Sequence, residues 1–225
     1  MEILFIRHGN PNYELDCLTE LGKIQAEAVS ERLIGEGIEA IYSSTCGRAF
    51  ETAEYTAKKY GYDVHPCDFM REISWGSITD DPNDRLHPWY YADRLVGEGR
   101  SVLDFDIRTN VEYNKCELPA SCERASIGVD GWLSELGFLR EGDYYRVGKV
   151  KYEKVAMFCH GGTFAVSMAR IFNLTIPFTM VSFPMRQTAI ARIELLSKEG
   201  ELVNPRFLCV NDVAHLVNCG IELTD

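Results

Sequence analysis

The sequence has little positive charge and no long apolar run. Its 225 residues carry 23 lysines and arginines against 34 aspartates and glutamates, a formal net charge of -11. This excess of negative charge argues against nucleic acid or an anionic membrane as the main partner. No apolar stretch approaches the roughly 20 residues that a transmembrane helix needs. A strand-like segment begins directly after Met1, so we expect neither a membrane span nor a signal peptide.

Paired cysteines are also missing. The eight cysteines, at positions 17, 46, 67, 116, 122, 159, 209 and 219, form no Cys-x-x-Cys pair, and several lie inside apolar runs. We therefore expect reduced thiols in a cytoplasmic protein, with disulfide bonds or a zinc site as the alternative. No P-loop pattern is present, and acidic residues that would hold Mg²⁺ do not cluster in the sequence. Neither a metal nor a cofactor is expected.

Strand-like and helix-like segments alternate along most of the chain. The apolar patterns predict strands over residues 2–6, 38–44, 63–69, 154–162 and 188–196, and helices over residues 18–37, 47–61, 119–139 and 162–173. This order is typical of the α/β class. We expect a three-layer α/β/α fold with a mostly parallel central sheet.

Capping residues mark the ends of two of these helices. Thr19 is the expected N-cap of the first helix, whose apolar face would be formed by Leu21, Ile24 and Ala28. The second helix would be capped by Ser44 or Thr45 and closed by Gly61. Cys159, in the strand that begins at residue 154, is expected to face the core.

The alternation weakens between residues 77 and 118, where Asp, Pro, Gly and aromatic residues are frequent. We expect an excursion over the active-site edge of the sheet, within a single domain that spans residues 1–225. His87 and the aromatic run Trp89-Tyr90-Tyr91 either line a substrate entrance or pack the excursion itself. Both interpretations remain open.

Basic side chains follow several of the predicted strands. Ligands of open α/β sheets bind beyond the carboxyl ends of the strands. The residues at these ends are Arg7 and His8, then Ser43, Ser44 and Arg48, then Arg71 and Glu72, and last His160, Gly161 and Gly162. Arginine forks match phosphate oxygens, and the start of the helix after His160 offers N–H donors to an anion. The pattern predicts a phosphate site, although each residue also has a structural interpretation, such as an ion pair of Glu72 with Arg71 or Arg48.

Four segments resemble the histidine phosphatase superfamily, of the phosphoglycerate mutase-like kind. They are "FIRHGNP", "LTELGKIQA", "YSSTCGRAFETA" and "FCHGG", in this order along the chain. The resemblance implies that His8 is the nucleophile, that Glu72 is the general acid, and that His160 acts beside them. It also implies a phosphate-binding set of Arg7, Arg48, Asn10 and Gly161.

The sequence departs from the mutases of this family at three positions. Pro11 and Glu14 stand where the mutases have serine and asparagine, and Ile73 stands where they carry an arginine for the substrate carboxylate. These departures favour a metal-independent phosphatase that hydrolyses a small phosphorylated metabolite through a phosphohistidine. A mutase and a catalytically inactive phosphate-binding module are the alternatives. The natural substrate and the oligomeric state stay open.

Overall fold

A six-stranded sheet forms the centre of the computed structural model, which describes residues 1–74, 88–103 and 116–225, with the backbone alone for residues 88–91. Its strands are β1 (Glu2–Arg7), β4 (Ala40–Ser44), β5 (Val64–Cys67), β8 (Lys154–Cys159), β9 (Ile190–Glu194) and β11 (Arg206–Asp212). They are ordered β11-β9-β1-β8-β4-β5. The pairs β1–β8, β8–β4 and β4–β5 are parallel, whereas β9 and β11 run antiparallel at one edge. The expectation of a mostly parallel sheet is confirmed.

Helices cover both faces of this sheet. They are α1 (Glu20–Leu33), α2 (Gly47–Tyr60), α3 (Pro88–Gly97), α4 (Leu118–Glu135), α5 (Gly161–Phe172), α6 (Ile176–Ser182) and α7 (Ala214–Asn218). In β1, Ile3 and Phe5 pack into the cluster that contains α4 and α5, while Leu4 and Ile6 pack into the one that contains α1 and α2. The three-layer α/β/α architecture follows from this division of the core. Among the described residues, no helix combines the length and the apolar character of a membrane span.

Smaller elements that the sequence patterns did not predict complete the fold. The short strands β2 (Pro11–Asn12) and β3 (Cys17–Leu18) pair with each other. A second sheet consists of β6 (Phe138–Glu141), β7 (Tyr144–Val147) and β10 (Leu202–Val203), so the predicted helix over residues 119–139 ends earlier, at Glu135. A 3₁₀ turn, Asp68–Met70, follows β5. The helix α3 lies inside residues 77–118, the region that was expected to form an excursion over the active-site edge.

The predicted apolar face of α1 was wrong. Thr19 caps the helix as expected, because its side chain accepts a hydrogen bond from the backbone N–H of Gly22. Ile24, however, is 55% exposed, and the buried face is formed by Gly22, Gln25, Ala26, Val29, Ser30 and Leu33. The cause is a close backbone approach, since a Cβ on Gly22 would lie 2.1 Å from the carbonyl oxygen of Asn10. Because Gly22 must face Asn10, α1 buries the side that contains Gly22 and not the side that contains Ile24.

The predicted cap of α2 was also wrong. Cys46 is the N-cap residue and makes no side-chain capping hydrogen bond; Ser44 instead accepts one from the backbone N–H of Cys46. Gly61 closes the helix in the left-handed conformation, as predicted. Cys159 is buried in the core beside α4 and α5, which confirms its expected orientation.

Candidate active site

The strand β1 delivers Arg7 and His8 to the carboxyl end of the sheet. It lies between β8 and β9, and its residues Ile3 to Ile6 are completely buried. The backbone N–H of His8 continues the pairing with β8 by donating to the carbonyl of Cys159 at 3.0 Å. His8 is therefore held at the carboxyl end of a central strand, and its side chain is buried, with the residue only 1% exposed.

The imidazole of His8 has a defined tautomer. Its Nδ1 lies 2.7 Å from the carbonyl oxygen of Gly9. Because a carbonyl can only accept, Nδ1 carries the proton, and Nε2 keeps its lone pair. The Nε of Arg48 donates to this Nε2 at 3.3 Å. Burial, together with the cations of Arg7 and Arg48, lowers the pKa of His8 to about 3. At neutral pH the ring is an uncharged nucleophile next to two arginines.

Arg48 is held in place by Asp16, a residue that the sequence analysis missed. One carboxylate oxygen of Asp16 lies 2.5 Å from an Arg48 terminal nitrogen, and the other accepts from the N–H of Gly47 at 2.7 Å. Burial opposes ionisation of this carboxyl, but the hydrogen bonds from Gly47 and Arg48 outweigh it and lower the pKa of Asp16. Asp16 has a positive φ of 48°. A loop aspartate of this kind carries no periodic signal, which explains why sequence reasoning did not find it.

His160 lies beside His8 at the end of β8. The two ring centroids are 5.0 Å apart. The Nε2 of His160 is 2.8 Å from the hydroxyl oxygen of Ser44, while its Nδ1 is buried and has no hydrogen-bond partner among the described residues. Burial and the neighbouring His8, Arg48 and Arg7 lower the pKa of His160 well below its ordinary value. Strands β1, β4 and β8 thus bring their predicted site residues together.

The carboxylate of Glu72 lies at the N-terminus of α5, close to the backbone N–H groups of Gly162 and Thr163. Its Oε1 accepts from the backbone N–H groups of Thr163 and Ile73, both at 3.0 Å, and from the Thr163 hydroxyl at 3.2 Å. The N–H of Gly162 lies 3.5 Å from Oε2. Glu72 therefore already uses helix-start donors that we expected to be offered to an anion. It forms no ion pair with Arg71 or Arg48 in the described part of the chain, where Arg71 pairs with Asp68.

Arg7 and Asn10 differ in how far they are engaged by the protein. A terminal nitrogen of Arg7 donates to the carbonyl of Met185 at 2.5 Å, while its Nε is buried without a partner in the described residues. The amide group of Asn10 is used at both ends, since Oδ1 accepts from Thr19 at 2.7 Å and Nδ2 donates to Gln187 at 3.0 Å. Arg7 lines the cavity described below, whereas the Asn10 side chain connects the loop after β1 to Thr19 and Gln187.

Part of this group of site residues lines a cavity of about 910 Å³, whereas the buried His8 and His160 are not among its described lining residues. Arg7, Arg48, Glu72 and Gly161 line this cavity, and the other lining residues are Tyr13, Ile73, Gly162, Met180, Pro184, Met185, Arg186, Asn211 and Asp225. His87 and Trp89 to Tyr91, expected either to line a substrate entrance or to pack the excursion, lie outside the residues whose side chains are described. Within the described ranges, no group of three or more His, Cys, Asp or Glu residues is arranged to hold a metal ion.

Comparison with known proteins supports the resemblance seen in the sequence. Residues 3–108 match the sequence model of the histidine phosphatase superfamily (branch 1). The "Probable phosphoglycerate mutase GpmB" of Yersinia pestis is 28% identical over 140 residues, which cover 53% of this chain and 65% of that protein. The chain thus spans slightly less than two thirds of the curated relatives it matches.

Solved structures with the same fold cover nearly all of this chain. A phosphoserine phosphatase from Entamoeba histolytica, in complex with 3-phosphoglyceric acid, superposes with a TM-score of 0.63 at 20% identity, covering 96% of this chain and 98% of its own. A mycobacterial glucosyl-3-phosphoglycerate phosphatase with inorganic phosphate gives 0.63 at 20% identity, covering 95% and 98%. The expected fold is confirmed.

Proposed function

We propose that this chain, which has the histidine phosphatase fold and resembles that superfamily in its N-terminal half, is a phosphatase that hydrolyses a small phosphomonoester through a phosphohistidine at His8. The observation that carries the proposal is the state of the His8 ring. Its Nδ1 is anchored to the Gly9 carbonyl, its Nε2 lone pair faces Arg48, and its pKa of about 3 keeps it neutral. Such an imidazole is a competent nucleophile for phosphoryl transfer.

In the first step the phosphate binds in the cavity. The guanidinium groups of Arg7 and Arg48 compensate its charge, and both line the cavity. Arg48 then donates to phosphate oxygens, which frees the lone pair of His8. The Nε2–P bond forms as the bond from phosphorus to the substrate oxygen breaks. His160, 5.0 Å from His8 between ring centroids, lies beside the transferring group.

Glu72 supplies the proton that the leaving oxygen needs. Three donors fix its Oε1, while Oε2 has, among the residues that the structure describes, only the long 3.5 Å contact with Gly162. Oε2 is thus the atom that carries the proton toward the substrate. After the alcohol departs, the same oxygen takes a proton from water as the water attacks phosphorus. The Nε2–P bond then breaks, and inorganic phosphate leaves.

Phosphatase activity is favoured over the two alternatives by particular residues. Ile73 lines the cavity directly after Glu72, where an arginine would be needed for a mutase-type carboxylate contact. An inactive binding module would have no need of a proton donor, yet Glu72 lies in the same cavity as Arg7 and Arg48. The two structural relatives named above act, by their names, on phosphorylated metabolites. We propose a substrate of the same class.

Trapping of the phosphoenzyme tests this function. The protein is mixed with radiolabelled p-nitrophenyl phosphate and quenched within one turnover, and the label should be acid-labile and base-stable. His8→Ala should abolish both label and turnover, whereas His65→Ala, at an exposed histidine of β5, controls for the loss of an imidazole. Substantial turnover by His8→Ala would refute the covalent mechanism. An absolute requirement for a bisphosphorylated primer would instead identify a mutase.

A further inference from the structure

Thr188 has a backbone conformation that a threonine rarely adopts. Its φ is 56°, in the left-handed region, where a β-branched residue is an outlier and glycine is the usual choice. It lies in a tight turn closed by a hydrogen bond from the N–H of Ala189 to the carbonyl of Arg186 at 2.9 Å. Strained conformations of this kind persist only where surrounding contacts enforce them, and they are frequent at functional sites.

The strained residue contacts the segment that carries the nucleophile. The backbone N–H of Thr188 donates to the carbonyls of Arg7, at 3.1 Å, and His8, at 3.3 Å. The next residue, Ala189, accepts from the N–H of Arg7 at 3.2 Å. The residue before it, Gln187, accepts from the side chain of Asn10 at 3.0 Å. The turn therefore holds the backbone on both sides of the His8 ring.

Thr188 itself is held by His215, a buried histidine that the proposed mechanism does not use. The Nε2 of His215, in α7, lies 3.1 Å from the Thr188 hydroxyl oxygen, and His215 is only 5% exposed. Burial lowers the pKa of His215 to about 4, although Asp212 opposes this, and the nearby Arg32 adds to it. The ring is therefore uncharged at neutral pH. Its contact with Thr188 is a hydrogen bond between neutral groups, which fixes the side chain and with it the turn.

We propose that Thr188 is a positioning residue for His8, and that His215 anchors it in its left-handed conformation. The proposal rests on the proposed phosphohistidine chemistry. Without the anchor, Thr188 relaxes toward negative φ, and its N–H turns away from the carbonyls of Arg7 and His8. The carbonyl groups of Arg7 and His8 then lose the hydrogen bonds that they accept from Thr188. Nε2 of His8 moves relative to the phosphate, and small displacements of a nucleophile have large effects on rate.

Two substitutions at this position separate positioning from packing. Thr188→Val keeps the branched shape but removes the hydroxyl, so the strained conformation loses its anchor. Thr188→Gly removes the whole side chain but needs no anchor, because glycine adopts this φ readily. We expect the single-turnover rate of phosphoenzyme formation to fall about 10- to 100-fold in Thr188→Val and to stay within about threefold of the wild type in Thr188→Gly. A packing role predicts the opposite order, since glycine leaves the larger void.

Removal of the anchor itself provides a second comparison. His215→Ala should slow phosphoenzyme formation in the wild-type background but have little further effect when combined with Thr188→Gly. Thr56→Val is the matched control, because Thr56 is a buried threonine of α2 whose hydroxyl has no partner in the described part of the chain. Equal rates for Thr188→Val and the wild type, or a slower rate for Thr188→Gly than for Thr188→Val, would overturn the proposal.

Amide hydrogen exchange of residue 188 gives a readout that needs no chemistry. The amide should be protected in the wild type and in Thr188→Gly, and should exchange at least about tenfold faster in Thr188→Val. Equal protection in all three proteins would refute the positioning role. Failure of the unmodified protein to form a phosphoenzyme would instead refute the proposed function, and this result is obtained before any variant is compared.

Discussion

Acid should destabilise this protein through histidines that are buried without charge. Burial lowers the pKa of His8 from 6.5 to about 3 and that of His215 from 6.5 to about 4. The unfolded chain binds a proton at each of these positions as the pH falls through 6.5, whereas the folded protein does not until the pH approaches 4 or 3. The unfolded state therefore binds more protons in this window, and the free energy of unfolding decreases as the pH is lowered.

The size of the effect follows from the same values. One pKa unit corresponds to about 1.4 kcal/mol, so lowering the pH from 7 to 5 costs the folded state about 2 kcal/mol for each of these two histidines. A typical domain has a free energy of unfolding of about 5–15 kcal/mol, so the loss is measurable. His8→Gln and His215→Gln remove one titrating group each. Each variant should lose about 2 kcal/mol less than the wild type between pH 7 and 5.

Urea unfolding at pH 7, 6 and 5, followed by circular dichroism, measures this difference. His65→Gln, at an exposed position, is the matched control for the loss of a histidine. The dependence of the free energy on urea concentration should be the same in all variants, which shows that the comparison concerns stability alone. If His8→Gln and the wild type lose the same free energy between pH 7 and 5, His8 is not kept neutral by burial, and the reasoning about its nucleophilic state is wrong.

Three further predictions concern the reaction itself. Glu72→Gln should slow phosphorylation by an alkyl phosphate about 10²–10⁴-fold but slow that by p-nitrophenyl phosphate much less, because p-nitrophenolate leaves without a proton. Equal slowing in single turnovers would move the acid role to Asp80 or Asp81, outside the described residues. Asp16→Asn should lower kcat on the order of tenfold without raising KM, because Arg48 loses its positioning partner but keeps its charge; a raised KM at constant kcat would contradict this role. Exhaustive dialysis against EDTA should leave turnover unchanged, and a loss that one divalent ion restores would disprove metal independence.

Most of the site residues that could be predicted from the sequence lie directly after predicted strands. Arg7, His8 and His160 follow apolar runs directly, so their meeting at one edge of the sheet could be predicted from the pattern alone. Asp16 and Thr188 could not be predicted, because each has a positive φ that no side-chain pattern encodes. Both residues act through backbone or side-chain contacts with segments distant in the sequence.

Contacts between distant segments also explain the errors in the predicted fold. The face that α1 buries is decided by the close approach of Gly22 to the backbone of Asn10, which depends on tertiary structure. The apolar position of Ile24 pointed to a different face. The strands β6 and β7 contain only four residues each and lie in a separate small sheet, and the first of them follows the predicted helix pattern without a turn signal that the sequence analysis used. The central strands β1 and β8 and the helices α1, α2 and α5 were predicted because their apolar patterns extend over more residues.

The support of His8 by distant segments has a consequence for synthesis of the protein. Arg7 and the Met185 carbonyl that it contacts are 178 residues apart in the sequence. At translation rates of about 5–20 residues per second, roughly 10–40 s pass between their emergence from the ribosome. For most of this interval β1 lacks both of its neighbours, β8 and β9, and β9 is still missing at its end. Nascent chains and products of premature termination would therefore carry the Arg-His-Gly segment without a working site, and would need protection from aggregation until the last strands arrive.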